Sequence, residues 1–273
     1  MANRFSGVQG AADEKVEEDF IGGGGLLDTD IYTATVKAVY ETESTKSKAV
    51  ALNFILDIDG KEVRQQIWMT NGKGGITYKA KDGSEKNLPG YNQVNSLFML
   101  ALGKEIGDTD VEEMTLKLYD YDAKAEVPKQ VDCYTDLHGV EIQVAIQRQT
   151  VDKTKKDDNT GKYEPTGETR DENEIIKFFP AAAQVTISEV AMHIKSLGGT
   201  LDEVLEDDQM EQAIASMIPD GEDTFVGGYA EKWLEKNRGN VYNKAKGAGK
   251  SGGKSFGDKK ASGGDDAPKK KLF

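Results

Sequence analysis

The sequence predicts an α+β fold, mainly β: a small barrel of strands plugged by one helix, with a C-terminal helical appendage and flexible, disordered termini. Three observations carry that prediction. Residues 30–70 read as a long strand followed by a tight hairpin, residues 89–102 as a helix, and residues 115–179 as further strands. From residue 184 the apolar period changes to that of a helix. The expected boundaries are an arm at 1–27, the barrel at 28–182, a helical segment at 183–243 and a Gly/Lys-rich tail at 244–273.

The arm is polar and acidic and closes on Gly22, Gly23, Gly24 and Gly25, a flexible composition. Ile31, Tyr32, Thr33, Thr35, Val36, Val39 and Tyr40 supply β-branched and aromatic side chains without Gly or Pro, which favours a strand. Val50, Leu52, Phe54, Leu56 and Ile58 then recur at every second position up to Asp59-Gly60, the signal for a two-residue type I′ turn. On the return strand Val63, Gln65, Ile67 and Met69 share the inner face, with Glu62, Arg64, Gln66 and Trp68 on the outer one. A Trp beside an Arg on the face away from the core points to an outer surface that touches something.

Glycines punctuate residues 71–87, and Asp82-Gly83 marks a turn. Lys73, Tyr78, Lys79 and Lys81 interleave an aromatic ring with cations, a pattern that suits a groove following a sugar-phosphate backbone. A solvated hairpin is the plainer reading of the same residues. Pro89 opens the helix, Gly103 ends it, and Val94, Leu97, Phe98, Ala101 and Leu102 form its core stripe. In an oligonucleotide-binding (OB) fold a helix between the third and fourth strands plugs the barrel, so the order strand, strand, strand, helix makes the predicted barrel OB-like.

Strands are expected at 115–119, 129–134 and 139–151, returning at 175–179. Residues 152–174 between them carry no apolar pattern, and a stretch of that length is either functional or disordered. It holds Lys153, Lys155, Lys156, Lys162, Tyr163 and Arg170 among several acids, where OB folds use the loop between their last two strands. Beyond it, Thr186 with Glu189 and Thr200 with Glu203 have capping-box form. They open segments bearing Val190, Ile194 and Leu197, then Val204, Leu205, Ile214 and Met217, with a third helix at 230–238 ended by Gly239.

The 273 residues carry a net charge of −13, which argues at first sight against nucleic acid. The charge is sided, however. Residues 61–91 hold six basic against three acidic residues, a net +3, whereas residues 200–225 hold nine acids and no Lys or Arg. No apolar run approaches the ~18 residues of a membrane span, and Met1–Phe5 lacks the basic and apolar regions of a signal peptide. Cys133 is the single cysteine, which excludes a disulfide framework and fits a reducing compartment. One Cys and two His cannot supply a usual zinc site. Cys133 and His138 permit a nucleophile pair, but a buried thiol beside a surface imidazole is the favoured reading. No phosphate loop is present, and the acidic runs read as solvated faces rather than a Mg²⁺ site. The chain is expected to be non-catalytic, with no cofactor and no metal.

With barrel strands, plug helix, basic loop and a Gly-rich tail ending in Phe273, the chain resembles the single-stranded DNA-binding proteins of tailed phages. The resemblance covers about two-thirds of the chain and rests on plan rather than on a diagnostic motif. It implies an OB-like fold that binds and protects single-stranded DNA without sequence preference during phage DNA replication, recombination and repair, in the cytoplasm of an infected bacterial host. Trp68, Tyr78 and Tyr163 would stack on bases, with Arg64, Lys73, Lys79 and Lys81 on phosphates. Lys61, Tyr91, Arg148, Lys153, Lys155 and Lys156 complete the candidate set. The family's tail is typically acidic, whereas residues 244–273 carry nine lysines against three aspartates, a net +6. Lys269, Lys270, Lys271, Leu272 and Phe273 would add phosphate contacts or recruit a replication, recombination or transcription protein. The rival expectation is an accessory module that binds a polymerase or recombinase without touching DNA directly.

Overall fold

The computed structural model describes residues 25–120, 123–156 and 163–246; the arm up to residue 24 and the tail from residue 247, with the contacts expected of Lys269–Phe273, lie outside them. The fold is α+β and mainly β, with an antiparallel sheet at its centre. Two compact units divide the chain: residues 25–148 with 173–241 form one, and residues 149–172 with 242–246 belong to the other.

The first unit begins with β1 (Asp30–Glu43), β2 (Val50–Ile58) and β3 (Lys61–Trp68). Asp59 and Gly60 both take positive φ, 52° and 78°, as a type I′ turn demands, and the register that follows pairs Ile58 with Lys61 and Ala51 with Trp68. A short hairpin of β4 (Thr77–Lys79) and β5 (Glu85–Asn87) comes next, then α1 (Pro89–Leu102), which ends on Gly103 at φ 66°. The hairpin β6 (Glu112–Asp120) and β7 (Ala125–Cys133) precedes the two longest strands, β8 (Glu141–Lys156) and β9 (Tyr163–Pro180).

Strand β1 changes partners along its length. Asp30–Thr35 pair with β8 and Thr35–Glu43 with β2, and the register shifts between Val36 and Ala38. That bulge bends the strand and increases its local twist. The resulting order, β9-β8-β1-β2-β3, wraps a core of Val36, Leu52, Phe54, Ile58, Leu97, Phe98, Ile142 and Phe178. Phe54 and Phe178 lie 5.3 Å apart between centroids, and Phe98 meets Tyr134 edge-on at 5.1 Å.

No closed barrel is seen among the described residues. Between β3 and β9 the sheet order shows no backbone ladder, and a side-chain bond links the two strands instead, the Ile175 N–H donating to Gln65 Oε1 at 3.3 Å. The inward, half-buried Gln65 amide stands in the seam that a ladder would occupy. On the opposite face the β6–β7 hairpin lays Leu116, Leu118 and Val131 over Ala38 and Ile55, which explains why β2 is apolar on both sides.

The helical part belongs to the same unit as the sheet. After β10 (Ala183–Gln184) it comprises α2 (Ile187–Ser196), α3 (Leu201–Glu206) and α4 (Met210–Ala215). Val190, Ile194, Met210 and Ile214 bury against Leu100 of α1. β11 (Phe225–Val226) then pairs in parallel with β10, and α5 (Gly228–Asn237) packs Ala230 and Trp233 on Ala145 and Phe179. Both capping boxes form as the sequence predicts. Glu189 does more than its box requires: Oε2 accepts from the Thr186 N–H at 2.8 Å and Oε1 from the Tyr229 N–H at 2.8 Å, joining two helix starts. The single segment expected from Val204 to Met217 is two helices, broken where Asp208 takes φ 54°. Leu197, expected on an apolar stripe, is 71% exposed beyond the end of α2.

The second unit holds the outer parts of β8 and β9 with β12 (Tyr242–Asn243), which runs parallel to Gln149 and Thr150. Residues 152–174 are therefore largely strand rather than an unstructured loop. A two-stranded ribbon wetted on both sides has no apolar face, so it shows no period-two pattern in sequence. Polar pairs hold it: Thr150 donates to Asp171 at 2.6 Å and Lys153 meets Glu168 at 3.0 Å.

Gly90 lets α1 start directly against β3. A Cβ there would lie 2.1 Å from the Trp68 carbonyl oxygen and 3.1 Å from Ile67 Cγ2. Gly90→Ala is expected to cost about 1–3 kcal/mol by overpacking, read as a lower urea midpoint, whereas an unchanged midpoint would show that the helix start yields freely.

Candidate nucleic-acid interface

Trp68 is the last residue of β3 and lies 46% exposed on the outer face, across from the buried Ala51. Its neighbours follow from the hairpin register. Pairing Ala51 with Trp68 brings the β1–β2 loop, residues 44–49, beside the loop that follows β3. The two are laced together: the Lys48 N–H donates to the Gly72 carbonyl at 3.2 Å and the Val50 N–H to Thr70 Oγ1 at 2.7 Å. Exposed Lys46 and Lys48 on one loop and exposed Lys73 on the other thus stand at the Trp68 end of the sheet.

Beyond them the β4–β5 hairpin presents exposed Tyr78, Lys79 and Lys81, with Lys86 opposite Tyr78. Asn71 ties its base, accepting from the Lys73 N–H at 2.9 Å and donating to the Thr77 carbonyl at 3.2 Å. The Ser84 hydroxyl and N–H hold the Asp82 carboxyl below its ordinary pKa, so the acid of this turn stays ionised.

The other candidates fall elsewhere. Lys61 sits at the turn end of β3, roughly 20 Å along the strand from Trp68 at ~3.3 Å per residue. Arg64 lies on the Trp68 face but is committed: its guanidinium bonds Glu62 at 2.5 Å and reaches Glu126 at 3.4 Å. Arg148 meets Asp28 at 3.5 Å. In the second unit Lys153 is paired with Glu168, Lys155 is exposed, and Tyr163 is 69% exposed; the Lys156 side chain lies outside the described residues.

Tyr91 is half-buried rather than presented on the surface, and it lines a cavity of about 290 Å³. Val50, Leu52, Met69 and Ile106 supply apolar wall, and Glu41 and Tyr134 supply polar atoms. The Tyr134 hydroxyl donates to Glu41 Oε1 at 2.6 Å. Burial, and after it the bond to Glu41, push the Tyr134 phenol far above its ordinary pKa, so it remains a donor.

Sequence reasoning missed Lys46, Lys48 and Lys86, although the register implied by Asp59-Gly60 places residues 44–49 beside 70–75. It also missed Glu41 and Tyr134, which lie 93 residues apart and carry no common pattern. Cys133 is fully buried, and burial followed by Asp132 raises its thiol pKa, the reverse of what an attacking thiolate needs. His138 Nε2 instead accepts from the Val39 N–H at 3.3 Å. Among the described residues no group of three or more His, Cys, Asp or Glu is placed to hold a metal ion, and no helix is long and apolar enough to cross a membrane.

Burial holds the His138 imidazole below its ordinary pKa of 6.5, against the pull of Glu112. A depressed folded-state pKa gives stability that is complete above 6.5 and lost as pH falls through the folded value. The urea midpoint is expected to drop as pH is lowered from 6.5 toward about 5, and His138→Gln, which can accept the same bond without titrating, flattens that slope. No family model and no curated protein matches this chain.

Proposed function

We propose that this protein binds and protects single-stranded DNA, sequence-tolerantly and without catalysis, in phage replication, recombination and repair. The observation that carries the reading is Trp68, exposed at the end of β3 where Lys46, Lys48 and Lys73 stand on two joined loops. An aromatic face beside exposed cations is the chemistry that single strands require: bases stack and phosphates are neutralised. The strand order β9-β8-β1-β2-β3, the bent β1 and the helix between β3 and β8 support an OB-like arrangement, open at the β3–β9 seam. Tyr78 extends the stacking set, Tyr163 is a stacking candidate of the second unit taken by itself, and Lys269, Lys270, Lys271, Leu272 and Phe273 add phosphate contacts or recruit partner proteins.

A second reading, an accessory module for a polymerase or recombinase, draws on Met192 and Leu197, large apolar side chains left exposed in and just beyond α2. Exposed apolar groups of that size suit a protein partner better than a phosphate backbone.

Trp68 fluorescence, isolated in a Trp233→Phe background, should be quenched by oligo-dT. Trp68→Ala should weaken binding by roughly 1–3 kcal/mol. Replacing Lys46, Lys48 and Lys73 by Ala should reduce the log–log salt slope by about 0.7 for each phosphate no longer neutralised. Arg64→Ala, whose charge Glu62 and Glu126 already compensate, should leave the slope unchanged. Absence of any salt-sensitive retention of a single strand would sink the reading and favour the accessory module.

A further inference from the structure

The cavity at the Trp68 end of the sheet has the size and wall chemistry of a site for one nucleobase, and we infer that it takes a base in preference to leaving all bases stacked outside. The inference rests on the single-strand reading above and adds to it a base preference. At about 290 Å³ the site is a shallow depression open to solvent, at the small end of ligand pockets and large enough for a single flat ring. Its walls are Leu52, Met69 and Ile106, with the rings of Tyr91 and Tyr134. Thr70 and Ile76, which line it, belong to the same loop as Lys73, and Thr70 follows Trp68 by two residues. A backbone tracked by Lys48 and Lys73 therefore runs along the rim, and Met69, next in the chain to Trp68, forms part of the inner wall.

Glu41 supplies the specificity. Its Oε1 accepts from the Tyr134 hydroxyl at 2.6 Å, which fixes the carboxylate against the wall. A carboxylate has about four lone-pair sites, so further donors can be taken. The bases differ in what they offer it. Guanine presents an imino and an amino N–H side by side and can engage both oxygens. Cytosine and adenine present one amino group each. Thymine sets two carbonyl oxygens beside its single imino N–H and so brings acceptors up to an anion. The pocket thus ranks guanine first and thymine last, the reverse of an indifferent stacking platform.

The test uses the full chain and nucleosides without phosphate, so that lysine contacts do not enter. Deoxyguanosine and thymidine are titrated by saturation-transfer NMR against wild type, Glu41→Gln and Ile76→Trp, alongside oligo-dT and the same oligomer with one central dG. Deoxyguanosine should bind at least about fivefold tighter than thymidine, and the single dG should tighten the oligomer by roughly five- to 150-fold. Glu41→Gln should abolish the difference, and Ile76→Trp, which narrows the cavity without touching Glu41, should weaken both nucleosides. Equal binding of the two nucleosides, or no nucleoside binding by a protein that retains oligo-dT, overturns the pocket and leaves the single-strand reading standing. Deoxyguanosine bound with that preference by a protein that retains no oligomer supports the pocket and overturns the single-strand reading.

Discussion

Strand β1 stands between two neighbours, and the bulge between Val36 and Ala38 bends it and shifts its register against β2. Asp30–Thr35 lie against β8 on one edge of the strand and Thr35–Glu43 against β2 on the other. The extra residue also changes which side chains face inward. Ala34 and Val36 face the main core before the bulge and Val39 faces it after, while Ala38 turns to the β6–β7 hairpin. Because β1 bends, β8 and β9 can return Ile175 and Phe178 to the core beside Phe54, and α1 has a floor to sit on. The outer face is then divided. Its half near Ala38, Ile55 and Arg64 is covered by the hairpin, and its half near Trp68 is left open.

That division decides which charges are available. Arg64 and Trp68 share a face in sequence, yet the hairpin brings Glu126 to Arg64 and nothing comparable to the Trp68 end. Exposed ion pairs of this kind contribute little to stability, typically under about 1 kcal/mol. Their consequence is electrostatic: a cation with two carboxylates beside it adds little positive potential. Lysines on the loops at 44–49 and 70–75 are attached to backbone that is itself fixed by hydrogen bonds, so their exposed side chains are anchored near Trp68.

The parts of the fold that were legible in sequence are those where one local rule fixes geometry. Asp59-Gly60 set the hairpin register, Pro89 and Gly103 bounded α1, and Thr186–Glu189 and Thr200–Glu203 marked helix starts. What escaped was non-local or unpatterned. The ribbon at 149–172 has two wet faces and no alternation to read. The break between α3 and α4 falls at Asp208, where neither Gly nor Pro announces it. The partnership of Arg64 with Glu126 spans 62 residues, and the cavity gathers Glu41, Tyr91 and Tyr134 from three separate elements. Tyr91 and Arg64 could be named as candidates from residue type, but what each of them faces is settled by chains of packing that no short window contains.

The net charge of −13 is compatible with an anionic ligand because of where the acids are used. Several of them have local work. Glu189 caps the starts of α2 and α5, Glu203 closes the box at Thr200, and Asp30 takes the Arg238 guanidinium at 2.8 Å. Acids at helix starts complement the backbone dipole and contribute to folding whatever they do to the distant field. In physiological salt the field of each exposed charge fades over about 8 Å, so a polyanion approaching Trp68 responds chiefly to charges within that range. Screening also limits the reach of the lysines, so on the proposed single-strand reading affinity comes from contact: a base ring on Trp68, phosphates at Lys46, Lys48 and Lys73, and short-range hydrogen bonds where a base leaves the stack.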